Sequence, residues 1–422
     1  MKKIKVAIMG LGTVGGGTYE VLTRNRDVIA SGYGVDAEVV KVLDRSEDVL
    51  VSRGVPAEKF AGNIDEIIKD DDISVVVETM GGLEPAGTFI IKALKSGKSV
   101  VTANKELLAK RFDELEEAAK EGGAGLYFEA SCVGGVPVIR TLTDSMQANR
   151  ITEIMGIING TTNYILTKMS EDGLTYAAAL KEAQKLGYAE FDPTADVEGF
   201  DAAYKLSILA SLAFHTRIPL SGIYREGISK VTPKDIAVGR SMGYTLKLLA
   251  IGRKNADGSA EARVHPAFVP ESHPLSSVRG AFNAVFLKGD FVDEIMLYGR
   301  GAGAHPTASA IVSDIIYCAD REEPLRLDFK NGEASLADDF SSEYYLSLTV
   351  ADKPGILASI TKVFGDCGIS IGKMQQQVSA AGQAEIIILT HTTKESAVRT
   401  ATERLESLGG VKKLNTTLRV IK

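Results

Sequence analysis

Through the first 135 residues, short apolar runs rich in β-branched side chains alternate with stretches of helical character. The runs are KIKVAIMG (3–10), AEVVKVLD (37–44), SVVVET (74–79), KSVVTA (98–103) and GLYFEA (125–130). Between them, GGTYEVLTRN (16–25), TFIIKALKSG (88–97) and FDELEEAAKEGG (112–123) read as helices. Such near-continuous apolar strands are buried on both faces, and their alternation with helices predicts a doubly wound parallel sheet.

The rhythm changes after residue 140. ITEIMGIING (151–160) and FNAVFLKGDFVDEIMLYG (282–299) predict strands of a second sheet, flanked by long helices that include 194–214 and 234–251. PTASAIVSDIIYCAD (306–320) predicts a helix that packs back on the first domain. DFKNGEASLADDFSSE (328–343) is polar, acidic and aperiodic, and reads as a linker. From YYLSLTV (344–350) to VKKLNTTLRV (411–420) the order is strand, helix, strand, strand, helix, strand, which is ferredoxin-like. The expected organisation is therefore α/β: a Rossmann-type doubly wound sheet over 1–139, completed by about 300–327, then an α+β substrate and dimerisation domain over 140–299, the linker, and a small unit over 344–422.

Composition narrows the class without naming a chemistry. At 422 residues, with 45% hydrophobic and 24% charged side chains, the chain is of globular type and long enough for two or three domains. Its net charge of −7 and its lack of a basic stripe argue against nucleic acid as a partner. No apolar run is long enough to span a bilayer, so no membrane partner is expected. Cys132, Cys318 and Cys367 lie too far apart for a disulfide framework or a Cys-x-x-Cys site, which points to a reducing, cytoplasmic setting.

Chemistry enters first at Gly10-Leu11-Gly12-Thr13-Val14-Gly15, between a predicted strand and a predicted helix. The first glycine allows the tight turn, the second lets backbone approach a pyrophosphate, and the third lets helix and strand pack closely. A dinucleotide is the expected ligand. Asp44 ends the second strand and Arg45 follows it; a carboxylate there favours the free ribose of NAD, an arginine the 2′-phosphate of NADP, and both are present. Polar groups also cluster at the carboxyl ends of later strands, where open α/β sheets bind ligands: Glu78-Thr79, Thr102-Ala-Asn-Lys105, and Glu129. Lys105 is either a solvent-facing lysine at a helix start or a functional group beside a nicotinamide.

The stretch EFDPTADVEGFDAAYK (190–205) leads five carboxylates into an almost wholly apolar helix. Asp192 before Pro193 reads as a cap, and Glu198 as part of a solvated face. Asp201 and Lys205, four apart, share one face of a helix that is apolar nearly all round and so buried. Such charges are costly inside a protein unless paired. They form either a structural ion pair or a polar pocket in which Lys205 serves as acid or base, with Glu190 and Asp201 suited to a substrate ammonium.

Several longer stretches resemble homoserine dehydrogenases, and the resemblance covers essentially the whole chain: GLGTVG (10–15), TANKELLA (102–109), EASCVGGVPVI (129–139), GIINGTTNYIL (156–166), LGYAEFDPTADVEGFDAAYKLSIL (186–209) and GRGAGAHPTASAIVSD (299–314). The resemblance implies interconversion of L-homoserine and L-aspartate 4-semialdehyde with NADP or NAD, on the route to threonine, methionine and isoleucine. It implies that Lys205 is the proton donor, that Lys105 assists, and that Glu190 and Asp201 bind the amino-acid end of the substrate. Gly187, Thr102, Ala302 and Gly303 would line the cleft. A monovalent cation, sodium first, would bind oxygens of Glu129, Cys132, Gly134 and Val136, mostly backbone carbonyls. The C-terminal unit is similar to an ACT domain, with Asp352-Lys-Pro-Gly355 after its first strand, and implies either a threonine effector site or a purely structural module. A homodimer or homotetramer is also implied.

Two rivals stand beside this reading. One is a semialdehyde dehydrogenase with Cys132 as acylating nucleophile, helped by His215 or His305. The other is a dinucleotide-sensing regulator, which would have no need of an internal Asp201–Lys205 pair.

Overall fold

The computed structural model of the chain describes residues 1–325, 329, 332–380 and 382–421. Six strands form the first sheet: β1 (Lys2–Met9), β2 (Val35–Leu43), β3 (Phe60–Ala61), β4 (Ile73–Glu78), β5 (Ser99–Thr102) and β6 (Leu126–Tyr127). Their order is β3-β2-β1-β4-β5-β6, and all pairings are parallel. The twofold period of a strand sends alternate residues of β1 to opposite faces. Val6 and Ile8 join one apolar core, while Ala7 and Met9 join another. Ile311 and Ile315 of the helix Ala304–Asp320 complete the first of these cores, so this late helix does return to the opening domain.

The second sheet has eleven strands: β7 (Ile151–Ile157), β8 (Tyr224–Arg225), β9 (Tyr244–Lys254), β10 (Ala260–Pro270), β11 (Phe282–Gly289), β12 (Asp293–Arg300), β13 (Ser341–Ala351), β14 (Ile371–Ala380), β15 (Gln383–Thr390), β16 (Thr393–Lys394) and β17 (Val411–Val420). Its main path runs β12-β11-β7-β9-β10-β17-β13-β15-β14. The C-terminal unit is thus no tethered bead. Its strand β17 pairs in parallel with β10, Ala267 opposite Arg419 and Phe268 opposite Val420, so one sheet runs through both parts. Arg419, buried at that seam, is held by Glu226 and by Glu395, the latter at 2.5 Å.

Three elements differ from the sequence reading. The stretch 234–251 is not one helix: the helix Pro233–Ser241 stops and β9 begins at Tyr244. Gly243 makes the turn with φ +84°, a conformation open to glycine. A fully buried strand carries no alternation, so period alone does not separate it from a buried helix. The expected helix 194–214 is likewise two, Thr194–Val197 and Phe200–Phe214, broken at Gly199 with φ +79°. Of the expected linker 328–343, residues 328, 330 and 331 lie outside the described residues, as do 326 and 327 of the stretch before it. The remainder is pinned rather than free: Ala334 N–H donates to Arg217 O at 2.7 Å, Ala337 N–H donates to Ala260 O at 2.8 Å, and β13 already starts at Ser341.

Candidate functional site at the seam of the two sheets

The glycine turn closes directly after β1. Gly10 has φ +90°, and a Cβ there would lie 3.0 Å from Met80 N. At Gly15 a Cβ would fall 1.9 Å from Gly10 O, which only glycine avoids. At Gly12, which caps the helix Thr13–Arg24, a Cβ would meet nothing within 4 Å. The turn is therefore tight at its two ends and open in the middle, at a helix N-terminus whose free N–H groups attract phosphate. This cradle fits a dinucleotide. Asp44 supports it from below: its Oδ2 accepts the Leu11 N–H at 2.6 Å and its Oδ1 accepts the Arg45 N–H at 2.6 Å. Arg45 itself is exposed.

The ends of β4 and β5 are tied together through Glu78. Its Oε2 accepts the Thr102 hydroxyl at 2.6 Å, while Oε1 accepts the N–H groups of Met80 and Gly81 at 2.8 and 3.0 Å. Asn104 then caps the helix Lys105–Gly122, accepting the Leu107 N–H at 3.1 Å. Lys105, at the first position of that helix, is aimed across the seam at the second domain.

There it meets the helix Phe200–Phe214. Asp201 and Lys205 are 6% and 8% exposed. Lys205 Nζ donates to Asp201 Oδ2 at 2.6 Å and to Ile158 O at 2.9 Å, and Lys105 Nζ lies 3.2 Å from Asp201 Oδ1. Burial opposes ionisation of Asp201, but the charges of Lys205 and Lys105 overcome it and hold the carboxyl well below the usual carboxylate range. The same carboxylate holds the Lys105 ammonium above the ordinary lysine value. Two lysines that are remote in sequence thus converge on one buried carboxylate.

Asn159 is a member of this site that sequence reasoning missed. Its Oδ1 caps the helix Gly160–Glu171 by accepting the Thr162 N–H at 2.9 Å. Its Nδ2 donates to Asp201 Oδ2 at 2.9 Å and to Asp196 Oδ1 at 2.7 Å. Asp196, also missed as an individual, is pushed up from the ordinary carboxylate value by burial and then by the charge of Asp201. An asparagine ahead of a helical stretch was legible as a cap; its second set of partners was not. Asp192 sits one residue ahead of the expected cap position: the helix starts at Thr194 with Pro193 at its cap, and Asp192 accepts the Thr194 N–H and hydroxyl at 3.1 and 2.6 Å. Gly187, with φ +76°, opens the loop that carries Glu190, and Glu190 is exposed and outside the lysine–aspartate network.

The loop from Glu129 to Val136 lies against 301–303: a Cβ at Gly134 would come within 2.5 Å of Gly301 O and 2.9 Å of Ala302 N. Gly303, with φ +118°, precedes the helix Ala304–Asp320, and Gly17 of the nucleotide helix abuts Ala304. Ala302 and Gly303 thus stand between the glycine-turn helix and the loop. Glu129 uses both carboxylate oxygens on backbone, accepting the Ile139 and Arg140 N–H groups at 2.9 and 2.8 Å. Burial and then Asp314 push its carboxyl up to about 7. Any cation here would have to rely on backbone carbonyls. The loop suits that use: Val133 and Gly134 are consecutive left-handed residues, at φ +57° and +54°. That conformation is costly for β-branched valine and turns the local carbonyls away from a regular ladder. Among the described residues, no group of three His, Cys, Asp or Glu side chains could hold a metal ion.

Cys132 is fully buried, its Sγ 4.0 Å from Lys205 O, and burial pushes its thiol up to about 12. A thiol so placed is a packing group, which removes the basis of the acylating-cysteine rival. His305, one of its two proposed helpers, is instead exposed beside Glu20 at 3.1 Å.

Comparison with known proteins agrees with this geometry. Residues 10–129 match the model of the homoserine dehydrogenase NAD-binding domain, 137–316 that of homoserine dehydrogenase, and 344–410 that of the ACT domain. A homoserine dehydrogenase of Mycobacterium tuberculosis is 41% identical over 99% of this chain and 98% of its own length. The crystal structure of a homoserine dehydrogenase from Thiobacillus denitrificans superposes with a TM-score of 0.93, at 41% identity, covering 100% of this chain and 99% of that one. A hyperthermophilic archaeal homoserine dehydrogenase in complex with NADPH matches 77% of this chain and 100% of its own, at 30% identity and a TM-score of 0.65. With a dinucleotide cradle at the end of β1, two lysines converging on the buried carboxylate of Asp201, and relatives of this closeness along its whole length, the chain belongs to the homoserine dehydrogenase family, the NAD(P)-dependent oxidoreductases, and carries a C-terminal ACT domain.

Proposed function

We propose that this chain interconverts L-homoserine and L-aspartate 4-semialdehyde, with Lys205 moving the proton. The observation that carries the assignment is Lys205 Nζ, buried and held between Asp201 and Ile158 O, with Lys105 from the end of β5 on the same carboxylate. When bound, a nicotinamide supplies or accepts the hydride at the carbinol carbon. In reduction, the Lys205 ammonium gives its proton to the aldehyde oxygen as charge develops there; in oxidation the neutral amine takes it back. Asp201 orients that ammonium, and Lys105, with two N–H groups beyond the one facing Asp201, polarises the reacting oxygen. Asp196 and Asp201 offer negative charge to the substrate ammonium, and Glu190 would join them from its loop.

Finer readings belong to the same proposal. Both oxygens of Asp44 already accept backbone N–H groups, which leaves exposed Arg45 to read the 2′-phosphate and favours NADP over NAD. Thr102, Gly187, Ala302 and Gly303 would line the cleft. Carbonyls of Glu129, Cys132, Gly134 and Val136 would hold a sodium ion, as oxygen donors suit a hard cation. Threonine acting through the ACT domain, a place in threonine, methionine and isoleucine synthesis, assembly as a homodimer or homotetramer, and a cytoplasmic location complete the reading. Domain limits near 139, 299 and 343 are part of it. No helix among the described residues is long and apolar enough to cross a membrane.

Initial rates of NADPH and NADH oxidation with L-aspartate 4-semialdehyde, with and without L-threonine, test the proposal. Lys205→Ala should lower turnover by about 10²–10⁴, the usual cost of losing a general acid, with NADPH affinity unchanged. Wild-type turnover in that variant would overturn the role of Lys205.

A further inference from the structure

Lys247 lies on β9, 2% exposed, and takes no part in the chemistry above. Its Nζ donates to Asn163 Oδ1 at 3.2 Å and to the carbonyl of Val278. Both acceptors are neutral, so a buried ammonium with three donors has two partners and no counter-charge among them. Lys98 offers an internal comparison. It too donates to two backbone carbonyls, of Asp70 and Ile73, but the carboxylates of Asp70 and Asp71 favour its charge. For Lys247 burial acts most strongly against the charge and the Arg279 guanidinium adds to it, with Glu171 opposing them; the balance lowers it to about 8.

Lys247 borders a cavity of about 230 Å³ that Arg240 and Arg279 also line. Glu171 and Glu271 are the acids around it, and Glu171 is already paired with Arg279 at 3.3 Å. Thr167 and Ser276 also line the cavity. Three cations against two carboxylates, with the most buried cation lacking a hydrogen-bonded carboxylate, is the charge pattern of an anion site. The volume lies below that of ordinary cofactor pockets, which excludes nucleotides.

We propose that this cavity binds a small anion carrying one carboxylate or phosphate group, with Lys247 and Arg279 as the recognising cations. The site is separate from the catalytic cluster, and the proposal stands whether or not the catalytic reading does. It is not isolated from that cluster: Asn163 belongs to the helix whose cap, Asn159, holds Asp201.

Sulfate is a suitable probe, because its charge does not change near neutral pH. Equilibrium dialysis of radiolabelled sulfate against the full chain, at constant ionic strength and with NADP⁺ saturating the dinucleotide cleft, should show a saturable site. Lys247→Met and Arg279→Gln should each weaken it by about tenfold or more while leaving homoserine oxidation unchanged. Binding should also decline as pH rises past about 8, where Lys247 loses the charge that the anion needs. Displacement by phosphate but not acetate would identify the ligand class as phosphates; displacement by acetate would identify carboxylates; displacement by neither would overturn the proposal. Sulfate binding that is absent, or the same in Arg279→Gln as in the wild type, would overturn it too. Arg279 is exposed at the surface, so this second variant decides the matter if Lys247→Met fails to fold.

Discussion

Asp201→Asn separates the two duties of the buried carboxylate. The substitution keeps the shape of the side chain and removes its charge. Lys205 would then be a buried ammonium with one carbonyl and one amide oxygen for partners, where it now has a carboxylate at 2.6 Å. Breaking a buried pair on one side costs about 3–5 kcal/mol, because the remaining charge is left uncompensated. The Lys105 contact at 3.2 Å adds little, since that side chain is 41% exposed and water screens it. For the catalytic region this loss corresponds to a melting temperature lower by about 6–20 °C. The pH dependence has a definite sign. The folded carboxyl lies well below its unfolded value of about 3.9, so its stabilisation is full above that pH and is lost progressively as pH falls from there through the lower folded value. The gap between wild type and variant should therefore be full at pH 7 and begin to narrow only below about pH 4. A double variant, Asp201→Leu with Lys205→Met, replaces the pair by apolar groups and should regain most of the lost stability while staying inactive. Thermal unfolding followed by circular dichroism, with turnover measured on the same samples, reads both effects. A single variant within about 1 kcal/mol of wild type, or a double variant no more stable than the single, would refute the argument from buried charge.

Two further tests address the neighbouring parts of the site. Gly12→Ala should melt like the wild type, because its Cβ enters open space, yet raise the KM for NADPH about tenfold or more by filling the approach to the phosphates; Gly15→Ala, 1.9 Å from Gly10 O, should lose stability as well. Equal behaviour of the two variants would remove the distinction between a phosphate cradle and a packing glycine. Iodoacetamide at pH 8 should modify Cys367 and leave Cys132 untouched, with turnover unchanged, as peptide mapping by mass spectrometry would show; loss of turnover in step with Cys132 labelling would restore that thiol to the mechanism.

Much of the architecture was legible because it is written in short-range patterns. The strand–turn–helix around Gly10–Gly15 and the i, i+4 placement of Asp201 and Lys205 each need only a few neighbouring residues to be recognised. The same short range explains the misreadings. Residues 244–251 carry no alternation because both faces of β9 are covered, and the stretch therefore passed for helix. Gly199 inside 194–214 was tolerable in a helix by propensity alone; its left-handed backbone, which breaks the run in two, is a tertiary fact.

Sequence by itself determined the classes of group available: a glycine turn able to admit a pyrophosphate, a carboxylate and an ammonium on one buried helix face, and a separate ferredoxin-like unit. Tertiary structure alone decided their relations. Lys105 reaches Asp201 only because the helices Lys105–Gly122 and Phe200–Phe214 meet at the seam between two sheets, and Asn159 binds Asp201 from a third helix start. Likewise Asp44, which by position could have faced a ribose, turns one oxygen onto the Leu11 N–H of the glycine turn and the other onto the N–H of Arg45, and β17 joins β10 to make one sheet of two domains. Hydrogen bonds and ion pairs act over about 3 Å in space and carry no memory of separation along the chain, so which distant residues they unite is settled only when the cores on either side have packed.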